Sequence, residues 1–292
     1  MKKESKIKKA IYRLANYIIP DSVYTRLKFK KNLNYWPDLK KPETFNEKLC
    51  WLKLHHRDPV MSIMVDKVEA KKYVSDIIGN EYVIPTYGIW ERAGDIDFDS
   101  LPDRFVMKGT HDSGRVIVCT DKKQLDINRA RAEMSESLSR DFYAITREWP
   151  YKNVPHRIIA EKFIQQEDGG LTDYKFFCFN GYVDCVMVCI DRHLGKPKFY
   201  FFDKNWNFLR LNKRGINAPE NFTLPKPEGI ERMFEIASVL SKGHPFVRVD
   251  LYNVDGKIYF GELTFFPDGG VDPNILPETD RLWGKLLNLT EI

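Results

Sequence analysis

The sequence has no apolar run long enough to cross a bilayer, no CxxC pair, no internal repeat and no low-complexity tract. A helical span needs about 18 nearly uninterrupted apolar residues, and the stretch IYRLANYIIP is broken by Arg13 and Asn16. Neither an apolar h-region nor a small-residue cleavage site follows the basic start, so the reading is a chain without a signal peptide that stays in the cytoplasm. Cys50, Cys119, Cys178, Cys185 and Cys189 are odd in number and unpaired in spacing. That fits reduced thiols better than a disulfide framework and argues against a zinc site. Four of the five lie in apolar, strand-like stretches and read as packing residues. What is present is 292 residues, 43% hydrophobic and 13% aromatic, enough for a folded core in one large domain or two to three lobes.

Charge is unevenly placed. Residues 1–60 hold 15 Lys and Arg against 6 Asp and Glu, a net of +9 in a chain whose total is +5. Ile7, Ile11, Leu14, Ala15, Ile18 and Ile19 recur at helical spacing with lysines on the other side. Two readings are open: a peripheral contact with an anionic membrane or anionic polymer, or a helix docked on the core with a solvated basic face. No nucleic-acid-binding module is recognisable, so nucleic acid is not an expected partner.

Thr44 precedes an amphipathic stretch with Glu47 three residues on, the spacing of a capping box. Residues 61–79 read as one helical stretch closed by Gly79. RFVMKGTHDSGRVIVC, from Arg104, reads as strand, glycine-bounded loop, strand. A helix over 122–141, the strand RIIAEKFI, several strands between 173 and 210, and helices near 228–242 and 277–289 complete the chain. Strands and helices mix without regular βαβ alternation, which argues an α+β fold.

In FVRVDLYNVDGKIYFGELTFFPDGG, an aspartate and a glutamate interrupt apolar alternation. The NVDGK turn suits a three-residue loop with Asn253 facing Lys257. Arg248 is then expected opposite Glu262 and Asp250 opposite Phe260. This places Asp250 and Glu262 on one sheet face as diagonal neighbours about 7 Å apart, with Val247, Val249 and Leu251 on the other. A solvent-facing Arg–Glu pair is one account. The apolar flanks favour another: two carboxylates holding Mg²⁺, which completes its shell with phosphate oxygens and water.

FVMKGTHDSGRV supplies a phosphate site to match. Lys108 ends an apolar strand, and the loop bounded by Gly109 and Gly114, with Thr110, His111, Asp112 and Ser113 inside, offers N–H groups and hydroxyls. It is not a Walker A loop, because Arg115-Val116 replaces Lys-Ser/Thr and a strand follows. Glu161 and Lys162 end the next strand before Phe163 and Ile164, an edge that can present backbone groups to an adenine. Asp173 and Lys175 start a further strand, point to one face and could reach ribose and phosphate; each pair also suits a surface ion pair.

The order of these pieces resembles the ATP-grasp superfamily: a lysine–glycine loop, Glu-Lys-Phe-Ile, an acidic strand start with lysine, Arg-x-Asp, then Gly-Glu-x-Thr. FNEKLCWLKLHHRDP, Asp66-Lys67, FVMKGTHDSG, DYKFFCFNG, FVRVDLY and GELTFFPDGG are similar to the teichuronopeptide-biosynthesis (TupA-like) ATP-grasp family, over about residues 40 to 275. The resemblance implies two α+β lobes clasping ATP and carboxylate–amine ligation through an acyl phosphate. It implies a basic helical segment over 1–60, the first part of the core over 61–103, a small lobe over 104–165 and a large lobe over 166–292. Carried over, Lys108 and Lys175 contact the phosphates, Glu161, Lys162 and Ile164 line the adenine, Asp173 holds the ribose, and Asp250 and Glu262 bind Mg²⁺. Thr264 stands where the superfamily often has a metal-binding asparagine. Arg248 is expected on the transferred group, and the GTHDSG loop is expected to close over the site.

The family's association with surface polysaccharide implies a uronic acid as carboxylate and an amino acid as amine, with peripheral contact at the membrane's inner face. A metal-dependent glycosyltransferase using a nucleotide sugar is the rival, resting on Asp95 and Asp97. A third class is a nucleotide-binding scaffold without catalysis.

Overall fold

The computed structural model describes residues 18–166 and 169–290; the amphipathic pattern over residues 1–17 lies outside them. Among the described residues, the first four named α-helices precede the strands. α1 (Asp21–Leu33) stops where Asn34 turns left-handed at φ +64°. α2 (Phe45–His55) starts on the expected capping box: the Glu47 N–H donates to Thr44 Oγ1 at 3.3 Å, and the Thr44 N–H donates to Glu47 Oε2 at 3.2 Å. Such a cap is worth about 1 kcal/mol. Residues 61–79 form two helices where one was expected, α3 (Val60–Val65) and α4 (Glu69–Ile78). The break falls at Asp66. One of its oxygens accepts the Val68 N–H at 2.9 Å and the other pairs with Arg157 at 2.6 Å, so the acid competes with the helical ladder for its own backbone.

A small antiparallel sheet follows, built from β1 (Thr86–Trp90), β2 (Phe105–Gly109), β3 (Val116–Cys119) and β4 (Ile158–Lys162) in the order β1-β4-β2-β3. α5 (Ile127–Leu138) covers one face, packing Ala130 and Met134 against Phe105, Met107, Ile158 and Ala160. Strand alternation then puts Val106, Lys108, Val116, Val118, Ile159 and Glu161 on the other face. The short α6 (Phe142–Thr146) leads back from α5 toward β4. The small lobe therefore takes β1 from the 61–103 segment, and its expected start at 104 is too late.

The large sheet is antiparallel in the order β10-β9-β5-β6-β7-β8. Its strands are β5 (Asp173–Phe179), β6 (Tyr182–Ile190), β7 (Lys198–Phe202), β8 (Phe208–Leu209), β9 (Val247–Val254) and β10 (Lys257–Thr264). The one-turn α7 (Lys213–Ile216) lies between β8 and α8 (Ile230–Ser241). Met233, Ile236 and Leu240 of α8 join Phe176, Val249 and Leu251 in the main core. On the opposite face, α9 (Pro277–Leu286) and α2 cover one end: the fully buried Trp283 stacks on Phe177 at 4.6 Å and meets Phe45 edge-on at 5.3 Å. The rest of that face looks toward the small lobe. Because Phe45, Leu49 and Leu52 belong to the main core, α2 is part of the large lobe. A boundary at residue 60 does not separate it.

Candidate active site

The β9–β10 hairpin is tighter than its sequence suggested. Val254 pairs with Lys257, leaving the two-residue loop Asp255–Gly256 with φ of +52° and +82°, as in a type I′ turn. Asn253 therefore faces Ile258, not Lys257. A bulge at Gly261 then shifts the register, so that Asp250 faces Glu262 directly and Arg248 faces Thr264. All three expected pairings are corrected. Glycine allows the bulge: a Cβ at Gly261 would stand 3.0 Å from the Asp250 carbonyl oxygen.

The two carboxylates share the face that looks toward the small lobe. Asp250 is buried and paired with two cations: Arg248 donates Nε and Nη2 to its two oxygens, each at 2.7 Å, and the Lys175 ammonium pairs with it as well. Arg248 also donates to Thr264 Oγ1 at 3.2 Å and lies 3.5 Å from Glu262. Glu262 keeps 41% of its side-chain exposure. Enclosure pushes its carboxyl up, but the combined fields of Lys175, Lys67, Arg248 and Lys108 outweigh that and pull it down to about 2. A carboxylate so strongly favoured in its charged form, open to the cleft and opposite a second carboxylate, suits a hard divalent cation. Among the described residues no group of three or more metal-ligating side chains gathers, so such an ion would need phosphate oxygens or water to complete its shell.

Beside Asp250, Lys175 lies 3.7 Å from Asp173, whose other oxygen accepts from Arg192 Nε at 2.9 Å. Asp173, Lys175, Asp250 and Glu262 thus form one acidic and basic strip across β5, β9 and β10.

The small lobe faces this strip with Lys108 and Glu161. Glu161, 3% exposed, sits between Lys108 at 2.6 Å and Lys71 of α4 at 2.5 Å. Burial pushes its carboxyl up, and the two lysines pull it below the ordinary glutamate range. Lys162 follows on the opposite face, exposed at the rim of a cavity of about 610 Å³ shared with Lys71, Thr86 and Tyr259. Phe163 lies under the Arg104 guanidinium at 4.3 Å, and Ile164 is half-buried after β4.

The glycine-bounded loop divides in two. Thr110, His111 and Asp112 are buried. The Thr110 hydroxyl donates to Pro155 O at 3.1 Å, His111 stacks on His156 at 3.7 Å, and Asp112 accepts from Arg140 at 3.0 Å. Burial, then His156, drives the His111 imidazole down to about 4. The side chains of Thr110 and His111 thus anchor the loop to its own lobe instead of reaching into the cleft. Ser113 and Gly114 are the exposed part.

Several site residues carried little sequence signal. Lys67 donates its ammonium to the Asp112 carbonyl, and burial lowers its pKa against the opposing field of Glu262. The sequence marks Lys67 only through the Asp66-Lys67 pair; it lies between α3 and α4, four residues before Lys71. Val116 and Val118, 51% and 56% exposed, give the small-lobe face an apolar edge beside Lys108. Tyr151 lies on the other side, where its phenol is pushed well up by burial, then by the fields of Glu148 and Glu262.

Residues 47–288 match the model of the TupA-like ATPgrasp family. Nothing among curated proteins matches. Among solved structures, the D-alanine–D-alanine ligase from Bacillus anthracis complexed with ATP is similar at 18% identity and a TM-score of 0.46, over 78% of this chain and 64% of that one. The D-cycloserine synthetase DcsG is similar at 15% identity and 0.41, over 78% and 71%. The ATP-grasp ligase PsnB complexed with minimal precursor is similar at 12% and 0.39, over 71% and 54%. This chain spans less than two thirds of the length of the first and third. The family match takes in Lys67, Lys108, Glu161, Asp173, Lys175, Arg248, Asp250 and Glu262 together, and the chain belongs to the TupA-like ATP-grasp family.

Proposed function

We propose that the protein is an ATP-dependent carboxylate–amine ligase, and that it joins an amino acid to a uronic acid during surface-polysaccharide synthesis. The observation that carries the ligase reading is the opposition of Asp250, Glu262 and Lys175 on the large sheet to Lys67 and Lys108 beside the small one: Glu262 feels all three lysines and Arg248. That arrangement suits a triphosphate and a divalent ion meeting between two sheets.

In this reading Val116 and Val118 cover the nucleobase, Glu161, Lys162 and Ile164 line it, and Asp173 holds the ribose. Lys67, Lys108 and Lys175 neutralise phosphate oxygens, with Gly109, Ser113 and Gly114 closing the loop over them. Asp250 and Glu262 would hold Mg²⁺, which when bound would offset the charge that develops on transfer. The substrate carboxylate attacks the γ-phosphorus, releasing ADP and giving an acyl phosphate. The amine then attacks the acyl carbon, phosphate leaves, and Arg248 steadies the oxyanion between the two. The enclosing lobes keep water from the acyl phosphate. A basic N-terminal segment suits an anionic glycan or the inner face of a membrane; no helix among the described residues is long and apolar enough to cross one.

The two aspartates behind the glycosyltransferase alternative make local surface contacts. Asp95 pairs with Arg92 at 2.7 Å, and one Asp97 oxygen accepts the Asp99 and Ser100 N–H groups at 3.1 and 3.3 Å. The test is incubation with Mg-ATP, pooled uronic acids and the twenty common amino acids, measuring ADP, phosphate and new masses. ADP release requiring both partners, with an amide mass, supports the reading. Absence of carboxylate-dependent ADP removes it.

A further inference from the structure

Beyond Arg248 the cleft ends in a wall whose central acid has no role so far. Glu148 is 6% exposed, yet among the described residues it makes no ion pair within 4 Å. A buried carboxylate without a close counter-charge is costly unless something else supplies one. Its surroundings come from four elements: Lys28 of α1, Lys53 of α2, the Thr146 hydroxyl at the end of α6, and Glu262 of β10, with the Tyr151 phenol alongside.

The wall is built around a glycine notch. Past β10, Asp268, Gly269 and Gly270 are all left-handed, at φ +50°, +67° and +80°. Lys53, itself buried, donates to the Gly269 carbonyl at 2.7 Å and fixes the turn. The bare flank of Gly269 leaves room that two side chains share: Lys28 Nζ comes within 2.1 Å of where a Cβ would stand, and Glu148 Oε1 within 3.7 Å. One ammonium and one carboxylate therefore converge on the same notch without closing on each other, next to the strand end that carries Arg248 and Glu262.

We propose that Glu148 receives the amine co-substrate, holding its ammonium and taking its proton, while Lys28 takes the carboxylate of the same molecule, so that the acceptor is an α-amino acid. The inference rests on the ligase reading and deepens it. The ammonium gives one proton to the Glu148 carboxylate. The freed lone pair attacks the acyl carbon, the carbon–oxygen bond to phosphate breaks with its electron pair on the phosphate, and the second nitrogen proton leaves with that phosphate. A carboxyl that burial lifts to about 7 is matched to proton transfer near neutrality.

The test compares the full-length wild type with Glu148→Gln and Glu148→Asp, using Mg-ATP, pooled uronic acids, and either the twenty amino acids or hydroxylamine as acceptor. Hydroxylamine is largely unprotonated at neutral pH and needs no base. The expected result is an amide-to-hydroxamate ratio at least about a hundredfold lower in Glu148→Gln at pH 7, recovering toward pH 9 as free amine accumulates, with Glu148→Asp between. An unchanged ratio overturns the inference, as does an equal loss of both products. Wild type that makes hydroxamate but no amide with any amino acid overturns it while the ligase reading stands. Wild type that releases no ADP with either acceptor removes the ligase reading, and the inference with it.

Discussion

Glu148→Gln can also be read without any substrate, through the pH dependence of stability. Burial, reinforced by Glu262 and opposed by Lys53, Lys28 and the Thr146 hydroxyl, lifts the Glu148 carboxyl from 4.5 to about 7. Between those values the folded protein keeps a proton that the unfolded chain has released, so stability falls as pH rises through the window. A carboxyl titrating that far above its usual place costs the folded state roughly 3 kcal/mol once the pH passes 7. Glutamine does not titrate. The melting temperature of the variant relative to wild type should therefore rise by roughly 5 °C between pH 4.5 and 8, taking an unfolding entropy of about 2.1 cal/mol/K per residue. Thermal unfolding followed by circular dichroism at pH 5, 6, 7 and 8 measures it. Any constant cost of the substitution shifts all four points equally and drops out. A gap that stays flat across the series would show that Glu148 ionises normally, and the account of an uncompensated buried acid would fail.

Asp250→Asn strips Arg248 and Lys175 of their shared counter-charge, and breaking such a buried cluster costs about 3–5 kcal/mol. Carboxylate-dependent ADP release should fall at least about a hundredfold at saturating Mg²⁺; turnover that survives in a coupled ADP assay would end the metal role. Glu161→Gln should lose about 2–3 kcal/mol in urea unfolding, the low end for a buried pair, because Lys71 and Lys108 keep 14% and 19% of their exposure. Its carboxyl is held below the ordinary 4.5, so this loss should be full above that pH and shrink as pH falls below it. Gly261→Val would press a side chain against the Asp250 carbonyl. It should cost activity by about a hundredfold, as a displacement of 1 Å at reacting groups does; unchanged ADP release would mean that the bulge does not set the site.

The fold was legible where local chemistry and periodicity agree. Thr44 and Glu47 announce α2, strand alternation announces β2 and β9, and the lack of regular βαβ alternation announces an α+β fold. It was less legible where one side chain redirects the backbone. Asp66 splits a helical pattern in two because it binds Val68 N–H and Arg157, and only the second partner, 91 residues away, makes that arrangement hold. Lobe membership was hidden for a similar reason. The basic composition of residues 1–60 describes their surface, whereas α2 is assigned by the three residues Phe45, Leu49 and Leu52 that it contributes to the core.

The hairpin shows how a wrong register can leave the right face. A three-residue loop followed by a regular ladder puts Asp250 and Glu262 on one side of the sheet. A two-residue loop followed by a bulge at Gly261 does the same and brings them directly opposite. Side-chain alternation fixes the face, but the glycine fixes the distance, and nothing in the alternation marks Gly261 as a bulge. The same blindness hid Glu148. Its neighbours in sequence, Arg147 and Trp149, give it no period, and its neighbours in space come from α1, α2 and the left-handed turn after β10. Lys108 and Lys175 stand near strand ends, where spacing can find them. Glu148 stands in a connection between short helices, where only packing can.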